Sequence, residues 1–257
     1  MSDLQLALRQ VKFEARTFWR NPPAFFFTFA FPLMFLVIFD LLFGNEMTTV
    51  PGGKARMLTF YVPAIVALSV ISACFTNIAI TVTFNRDQGL LKRVRGTPLP
   101  PWAFLFGRIV HSVFIALLLV VIVTAAGALF YGVTVPTETL PAGILTVMIA
   151  AVAFSAQGLA VTGIIPNAEA SPAVVNGIIL PLLFISDIFI PDTNAPEWLK
   201  ALANFFSIKH FSEAMQTVFS PFTTGSGLEW ADLAVIAAWG VVGVFFATRT
   251  FSWEPRR

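Results

Sequence analysis

Charge is scarce in this 257-residue chain: 12% of its residues are Asp, Glu, Lys or Arg, against 57% hydrophobic, and its mean hydropathy is +0.81. So little polar surface cannot clothe a soluble core, which excludes a water-soluble domain and leaves an integral membrane protein. Cysteine is nearly missing, and the single Cys74 excludes an intramolecular disulfide. The only two histidines, His111 and His210, stand far apart in sequence with no metal-ligand spacing, so no metal site is expected. There is no Walker A loop, because Gly52-Gly53-Lys54 runs into Ala55 and lacks the upstream glycine. A nucleophile elbow and an H-E-x-x-H helix are missing as well, so catalytic residues are expected to be none. The chain shows neither the short alternating segments of a membrane barrel nor an inverted repeat.

What is present is a series of long apolar runs, at about 24–43, 58–84, 104–131, 141–165, 173–190 and 231–251. Each approaches or exceeds the roughly 18 to 20 residues that cross about 30 Å of hydrocarbon as a helix. The expected fold is therefore all-α and polytopic, one membrane domain with six spans. Internal Pro32, Pro63 and Pro181 are tolerable there, because neighbouring helices can satisfy freed backbone groups.

Between the second and third runs lies a basic, turn-rich segment, residues 85–103, carrying Arg86, Asp87, Lys92, Arg93 and Arg95. It is expected to sit in cytoplasmic water and to set topology. With both termini on the same side, twelve of the sixteen Lys and Arg fall inside, including Arg108 at the mouth of the third run and the terminal Arg256 and Arg257. Lys54, Arg56, Lys200 and Lys209 fall outside. The net charge of +2 is distributed as topology requires and implies no nucleic-acid partner.

Residues 3–21 read as an amphipathic helix in the membrane interface, with Leu4, Leu8, Val11, Ala15, Phe18 and Trp19 on one stripe and Arg9, Lys12, Arg16 and Arg20 beside it. No cleavable leader is expected from so charged a start. A passive anchor and a lever moved by a cytoplasmic partner both fit, and Phe13 and Leu6 on the opposite face leave room for the second. Phe27, Phe31, Phe35, Phe39 and Phe43 repeat every four residues along the first span, a stripe for packing, lipid or an apolar substrate. The 40 residues of 191–230 are too long for a bare connection. They are read as two short outer helices, the first with an apolar face of Trp198, Leu199, Leu202, Phe205 and Phe206, the second near Lys209 to Phe219.

Among ionisable groups in the runs, Asp40 and Asp187 sit about three residues, or about 5 Å, from outer ends. Arg108 is expected to snorkel towards headgroups. The mid-span polar residues Asn77, Gln157 and Asn176 suit interhelical hydrogen bonds.

Two stretches, RDQGLLKRVRGTPLPPWAFLFGRI and SDIFIPDTNAPEWLKALANFFSIKHFSEAMQ, resemble the permease subunits of type-2 ABC exporters, in the branch that moves drugs and antibiotics. The first is similar to the family's cytoplasmic element, the second to the end of its fifth span and outer hairpin. Two positions depart: Ser186-Asp187 stands where the family often has Ser-Gly, and Ser207-Ile208 where it often has Asn-Pro.

The resemblance implies a half-transporter in a prokaryotic plasma membrane, both termini cytoplasmic. It implies a second permease copy, a homodimer or a paralogue, and two ABC ATPase subunits that hold the ATP and Mg; this chain binds no cofactor. It further implies alternating access along an interface of the first, second and fifth spans, with membrane lipid around it. Coupling to the ATPase is expected at Arg86, Asp87, Gly89, Leu91, Arg93, Arg95 and Pro98, on a helix stiffened by Pro98, Pro100 and Pro101. A substrate path is expected at Phe27, Phe31, Phe35, Asn77, Asn176 and Phe184, and an outer gate at Asp187, Trp198, Phe205 and Phe206. Export of lipids or lipid-linked glycans, and ion-coupled transport without an ATPase, are the alternatives.

Overall fold

The computed structural model describes residues 3–44, 46–50, 53–135, 137–189 and 196–255. Arg256, Arg257, Gly52, the end of the expected fifth run at Ile190 and the first residues of the segment 191–230, 191–195, lie outside the described residues.

Helix α1 (Asp3–Trp19) ends at Asn21, whose side chain accepts from Ala24 N and caps α2 (Pro22–Phe43). The Pro22-Pro23 pair suits that first turn, where amide hydrogens have no helical acceptor. A two-stranded antiparallel hairpin follows, β1 (Met47–Val50) on β2 (Gly53–Arg56), in the register Met47 to Arg56. Hydropathy alone gave no sign of it. Next comes a single 31-residue rod, Met57–Asp87, built of α3 (Met57–Ile71), a five-residue π-helical turn (Ser72–Thr76) and α4 (Asn77–Asp87). After it stand α5 (Leu90–Arg95), α6 (Pro101–Tyr131), α7 (Leu140–Val161), α8 (Ser171–Ile185), α9 (Glu197–Phe205), α10 (Ser207–Phe219) and α11 (Trp230–Thr250).

Five of these helical rods are long and apolar enough to cross a membrane: α2, the α3–α4 rod, α6, α7 and α11. The expected fifth span is different. Helix α8 has 15 residues, about 22 Å at 1.5 Å per residue, short of about 30 Å of hydrocarbon. It stops because Asp187, at φ 58°, takes the left-handed conformation that Asp tolerates better than most residues. The run at 141–165 is likewise interrupted: α7 ends at Val161 and turns begin at Thr162.

The rod is the hub of the bundle. Every residue from Phe60 to Ile71 is buried, whereas α2, α6 and α11 leave large apolar side chains exposed, such as Leu41, Leu129 and Val241. Small residues bring the backbones close. A side chain at Gly158 would meet the carbonyl of Phe75 on the π turn, and one at Gly243 would meet the backbone of Gln157. This is how helices pack tightly when lipid removes the hydrophobic drive between them.

The two ends of the bundle are named here for what they carry, the basic end for α5 and the hairpin end for α9 and α10. Helix α1 docks along α6 at the basic end. Ala7 and Phe18 are buried, and Gln10 lies against Gly107, while Leu4, Leu8, Phe13 and Trp19 remain exposed.

Candidate functional site

At the basic end, Arg86 is not the solvated loop cation that its sequence setting predicts. It is 2% exposed. Its Nη1 donates to Thr162 O at 3.0 Å, and its Nη2 to Ile165 O at 2.9 Å and Pro166 O at 3.1 Å. Its Nε donates to Asp87 Oδ1 at 3.2 Å, and the other oxygen of Asp87 accepts from Ala168 N at 2.5 Å. These carbonyls belong to the C-terminal cap of α7 and the link beyond it, which have no helical donors left and attract a cation. A planar guanidinium can serve several of them at once where an ammonium could not. The pair therefore brackets the end of α4 to the link between α7 and α8.

Gly89, at φ 70°, turns the chain from that bracket into α5. Leu91 is fully buried among Ile78, Val82, Phe104, Leu159 and Ala247, with Val94 and Leu99 packed on the same cluster. Lys92, Arg93, Arg95 and Pro98 face outward. The expected proline-stiffened helix is corrected on one point. Helix α5 ends at Arg95, before any proline, and Pro100 and Pro101 open α6 instead. The buried leucine and the bracket attach α5 to the bundle.

Between α2 and the rod, the hairpin-end halves are closed by stacking, Phe39 on Tyr61 at 4.2 Å and Phe43 on Tyr61 at 5.7 Å. Towards the basic end lie two adjoining, partly open cavities, the first bounded mainly by α1, the rod and α6, the second mainly by α2 and the rod. One, of about 280 Å³, is the more polar of the two, lined by Glu14, Asn77, Thr81, Asn85, Arg108 and His111 together with apolar Phe18, Ile78 and Ile115. The second, of about 360 Å³, is mainly apolar, with Phe27, Phe31, Leu68, Ile80 and Leu119 and the hydroxyls of Ser69, Ser72 and Thr76. They share Ala24, Ala73, Asn77 and Thr81. Of the expected path residues, Phe27, Phe31 and Asn77 thus meet at one place. Phe35 and Phe184 instead flank Phe189, with ring centroids at 6.2 and 5.1 Å, and Asn176 stands on the exposed face of α8.

Arg108 also departs from expectation. It does not reach for headgroups but is 9% exposed. Its Nη1 donates to Thr81 Oγ1 at 2.7 Å, its Nε lies 3.5 Å from Glu14, and its guanidinium sits 5.4 Å from the Phe104 ring centroid. His111 packs edge-on to Phe18 at 5.5 Å. The sequence signal for this cavity was the spacing Asn77, Thr81, Asn85, four residues apart and so on one helix face. Its partner Glu14 was hidden within a charged helix.

At the hairpin end, the four expected gate residues are not gathered. Asp187 Oδ2 accepts from Lys209 Nζ at 2.9 Å, and Lys209, buried and not in the outer water, also pairs with Glu213 at 3.3 Å. Phe206 stacks on Trp239 at 5.6 Å, Phe205 meets the same ring edge-on at 5.4 Å, and Trp239 Nε1 donates to Phe205 O at 2.7 Å. Trp198 stands exposed. Gln157 Nε2 donates to Ser207 Oγ at 3.2 Å, an interhelical bond beside a third, apolar cavity of about 280 Å³ between α7, α8, α10 and α11. His210, Glu213 and Asp232 bring ligand-type atoms within 4.8 Å of one another. Both ring nitrogens of His210 are already engaged, by Asp232 Oδ1 at 2.7 Å and Asn204 O at 2.8 Å.

The family described as ABC-2 type transporter matches residues 7–220, most of the chain. The chain belongs to that family. It is 23% identical over 160 residues, 62% of this chain and 43% of the other, to the probable multidrug ABC transporter permease YbhR of Escherichia coli strain K12. It is 25% identical over 223 residues, 83% of this chain and 74% of the other, to the daunorubicin resistance ABC transporter permease protein DrrB1 of Streptomyces coeruleorubidus. With the inner membrane transport permease YadH of Escherichia coli strain K12 it shares 23% over 217 residues, 83% of this chain and 80% of the other. The permease thus spans less than half the length of the first relative and most of the other two. Chains of this family are multi-pass membrane permeases.

Proposed function

We propose that this permease is the membrane subunit of an ATP-driven exporter of amphipathic small molecules, driven by separate ABC ATPase subunits that dock on α5. The bracket at Arg86 and Asp87 carries this reading. It ties the element that presents Lys92, Arg93 and Arg95 outward to the link between α7 and α8, so that a push on the basic face reaches three helices rather than one loop. Leu91 adds α6 and α11 to the same body. The adjoining cavities beside α2 provide a route with both polar and apolar walls, which suits amphipathic cargo. In this reading the working unit contains a second permease copy and two ATPase subunits that bind ATP and Mg, in a prokaryotic plasma membrane with both termini cytoplasmic. The drug-related names of two relatives agree with the cargo class.

The test is co-reconstitution with the ATPase subunit recovered by pull-down of the solubilised permease. Arg93→Gln with Arg95→Gln should insert normally and abolish ATP-dependent export and its stimulation of ATPase activity. If coupling and export persist, or if the permease alone moves cargo on an ion gradient, the reading fails.

A further inference from the structure

The two cavities beside α2 share their junction residues but differ in character, and the difference specifies a ligand. The more polar cavity is lined by one buried cation, Arg108, and one part-buried anion, Glu14. Arg108 makes one hydrogen bond, to Thr81, and its buried Nε makes none among the described residues. Glu14 accepts from Gln10 Nε2 at 2.8 Å and lies 3.5 Å from Arg108, a loose ion pair. With the Nε closed off beside Glu14, the guanidinium has one hydrogen bond and one carboxylate, fewer partners than its five N–H groups can serve. An anion alone would face Glu14, and a cation alone would face Arg108. A head carrying both charges answers both residues, and Asn77 and Asn85 offer it neutral donors and acceptors. His111 is the remaining titratable group on this wall.

From Ala24, Ala73, Asn77 and Thr81 the space continues into the larger chamber, whose walls are mainly apolar and whose rim carries the exposed rings of Phe27 and Phe31. The π turn at Ser72–Thr76 bounds this junction on the rod, and such turns recur where a helix must present a binding surface.

We infer that the two cavities form one binding site for a zwitterionic amphiphile, with its phosphate or carboxylate on Arg108, its ammonium on Glu14 and its chain between Phe27, Phe31 and Leu119. A membrane lipid with a phosphoethanolamine head and a small zwitterionic cargo share this chemistry. As a statement of cargo class the inference rests on the export reading above; as a statement of binding it does not.

The experiment is native mass spectrometry of the purified full chain, without ATPase subunit or nucleotide. The probes are dihexanoyl phosphoethanolamine, dihexanoyl phosphoglycerol and single-chain dodecyl phosphoethanolamine. The parent protein should retain phosphoethanolamine heads over the phosphoglycerol head by about tenfold, the size of one charge-assisted hydrogen bond. Glu14→Gln should reverse that preference towards phosphoglycerol, a change that loss of packing cannot produce. Arg108→Gln should remove binding of all three. Ala24→Phe, which leaves the charged pair intact and fills the junction, should also remove binding, and it decides the matter if Arg108→Gln does not fold. Stronger retention of the two-chain probe identifies the occupant as membrane lipid, and stronger retention of the single-chain probe as small amphiphilic cargo. Absence of head-group preference in the parent, or an unchanged preference in Glu14→Gln, overturns the inference. Export can fail while this binding stands, and the reverse also holds, so the two readings are separable.

Discussion

Two arginines are buried at the basic end of the bundle, and they are opposites. Arg86 has its guanidinium engaged by three carbonyls and a carboxylate. Arg108, nearly as buried, has one hydrogen bond, one loose ion pair and a cavity beside it. Burial of a charge is costly in both cases, and only completeness of partnering separates a structural clamp from a site that waits for a ligand. The sequence places both residues at the mouths of apolar runs, where they look alike. Which one faces backbone and which faces space depends on helices distant in sequence.

This contrast can be broken in order of effect. Arg86→Met should be the most damaging change, at about 3–5 kcal/mol, because it leaves several buried carbonyls and the part-buried Asp87 without their cation. Unfolding of the purified protein by SDS titration in micelles measures it, and a loss near zero would show that the bracket is not a clamp. Asp87→Asn comes next. It keeps an acceptor for Ala168 N but removes the charge beside Arg86, for about 1.5–3 kcal/mol in the same titration. Replacing both members of the other pair, Arg108→Met with Glu14→Leu, should leave stability within about 1 kcal/mol of the parent or raise it, since an incompletely satisfied ion pair exchanged for apolar volume loses little. If that double change proves as harmful as Arg86→Met, the distinction between the two arginines is wrong. The smallest effect belongs to Arg93→Gln with Arg95→Gln, whose exposed side chains should alter stability by less than about 0.5 kcal/mol. Thermal unfolding beside the export assay would show coupling lost without stability lost.

Much of the architecture was legible from hydropathy. The helices α2, α6 and α11 fall close to their expected bounds, because a run of apolar residues in lipid has no option but to satisfy its backbone as helix. Helices α9 and α10 were legible from the amphipathic faces around Trp198 and Phe211. The shortness of α8 was not, since Ile188 and Phe189 look like continued span while the turn at Asp187 is held by Lys209, which follows it by more than twenty residues. The hairpin β1–β2 was missed for a related reason. Its short strands read as a loop between spans. Of the residues lining these cavities, Phe27, Phe31 and Asn77 were singled out from the sequence and Glu14 was not, because nothing local distinguishes it from the other charges of α1.

Composition and periodicity by themselves determined that this is a helical membrane protein with a basic connecting element, because the scarcity of charge and the length of its apolar runs allow nothing else. Tertiary structure decided which charges are buried, that the basic element is tied to the link between α7 and α8, and that a divided cavity opens beside α2. Those outcomes depend on carbonyls and carboxylates brought within about 3 Å by helices dozens of residues apart, at the hydrogen-bond range where electrostatics in a dry interior becomes decisive.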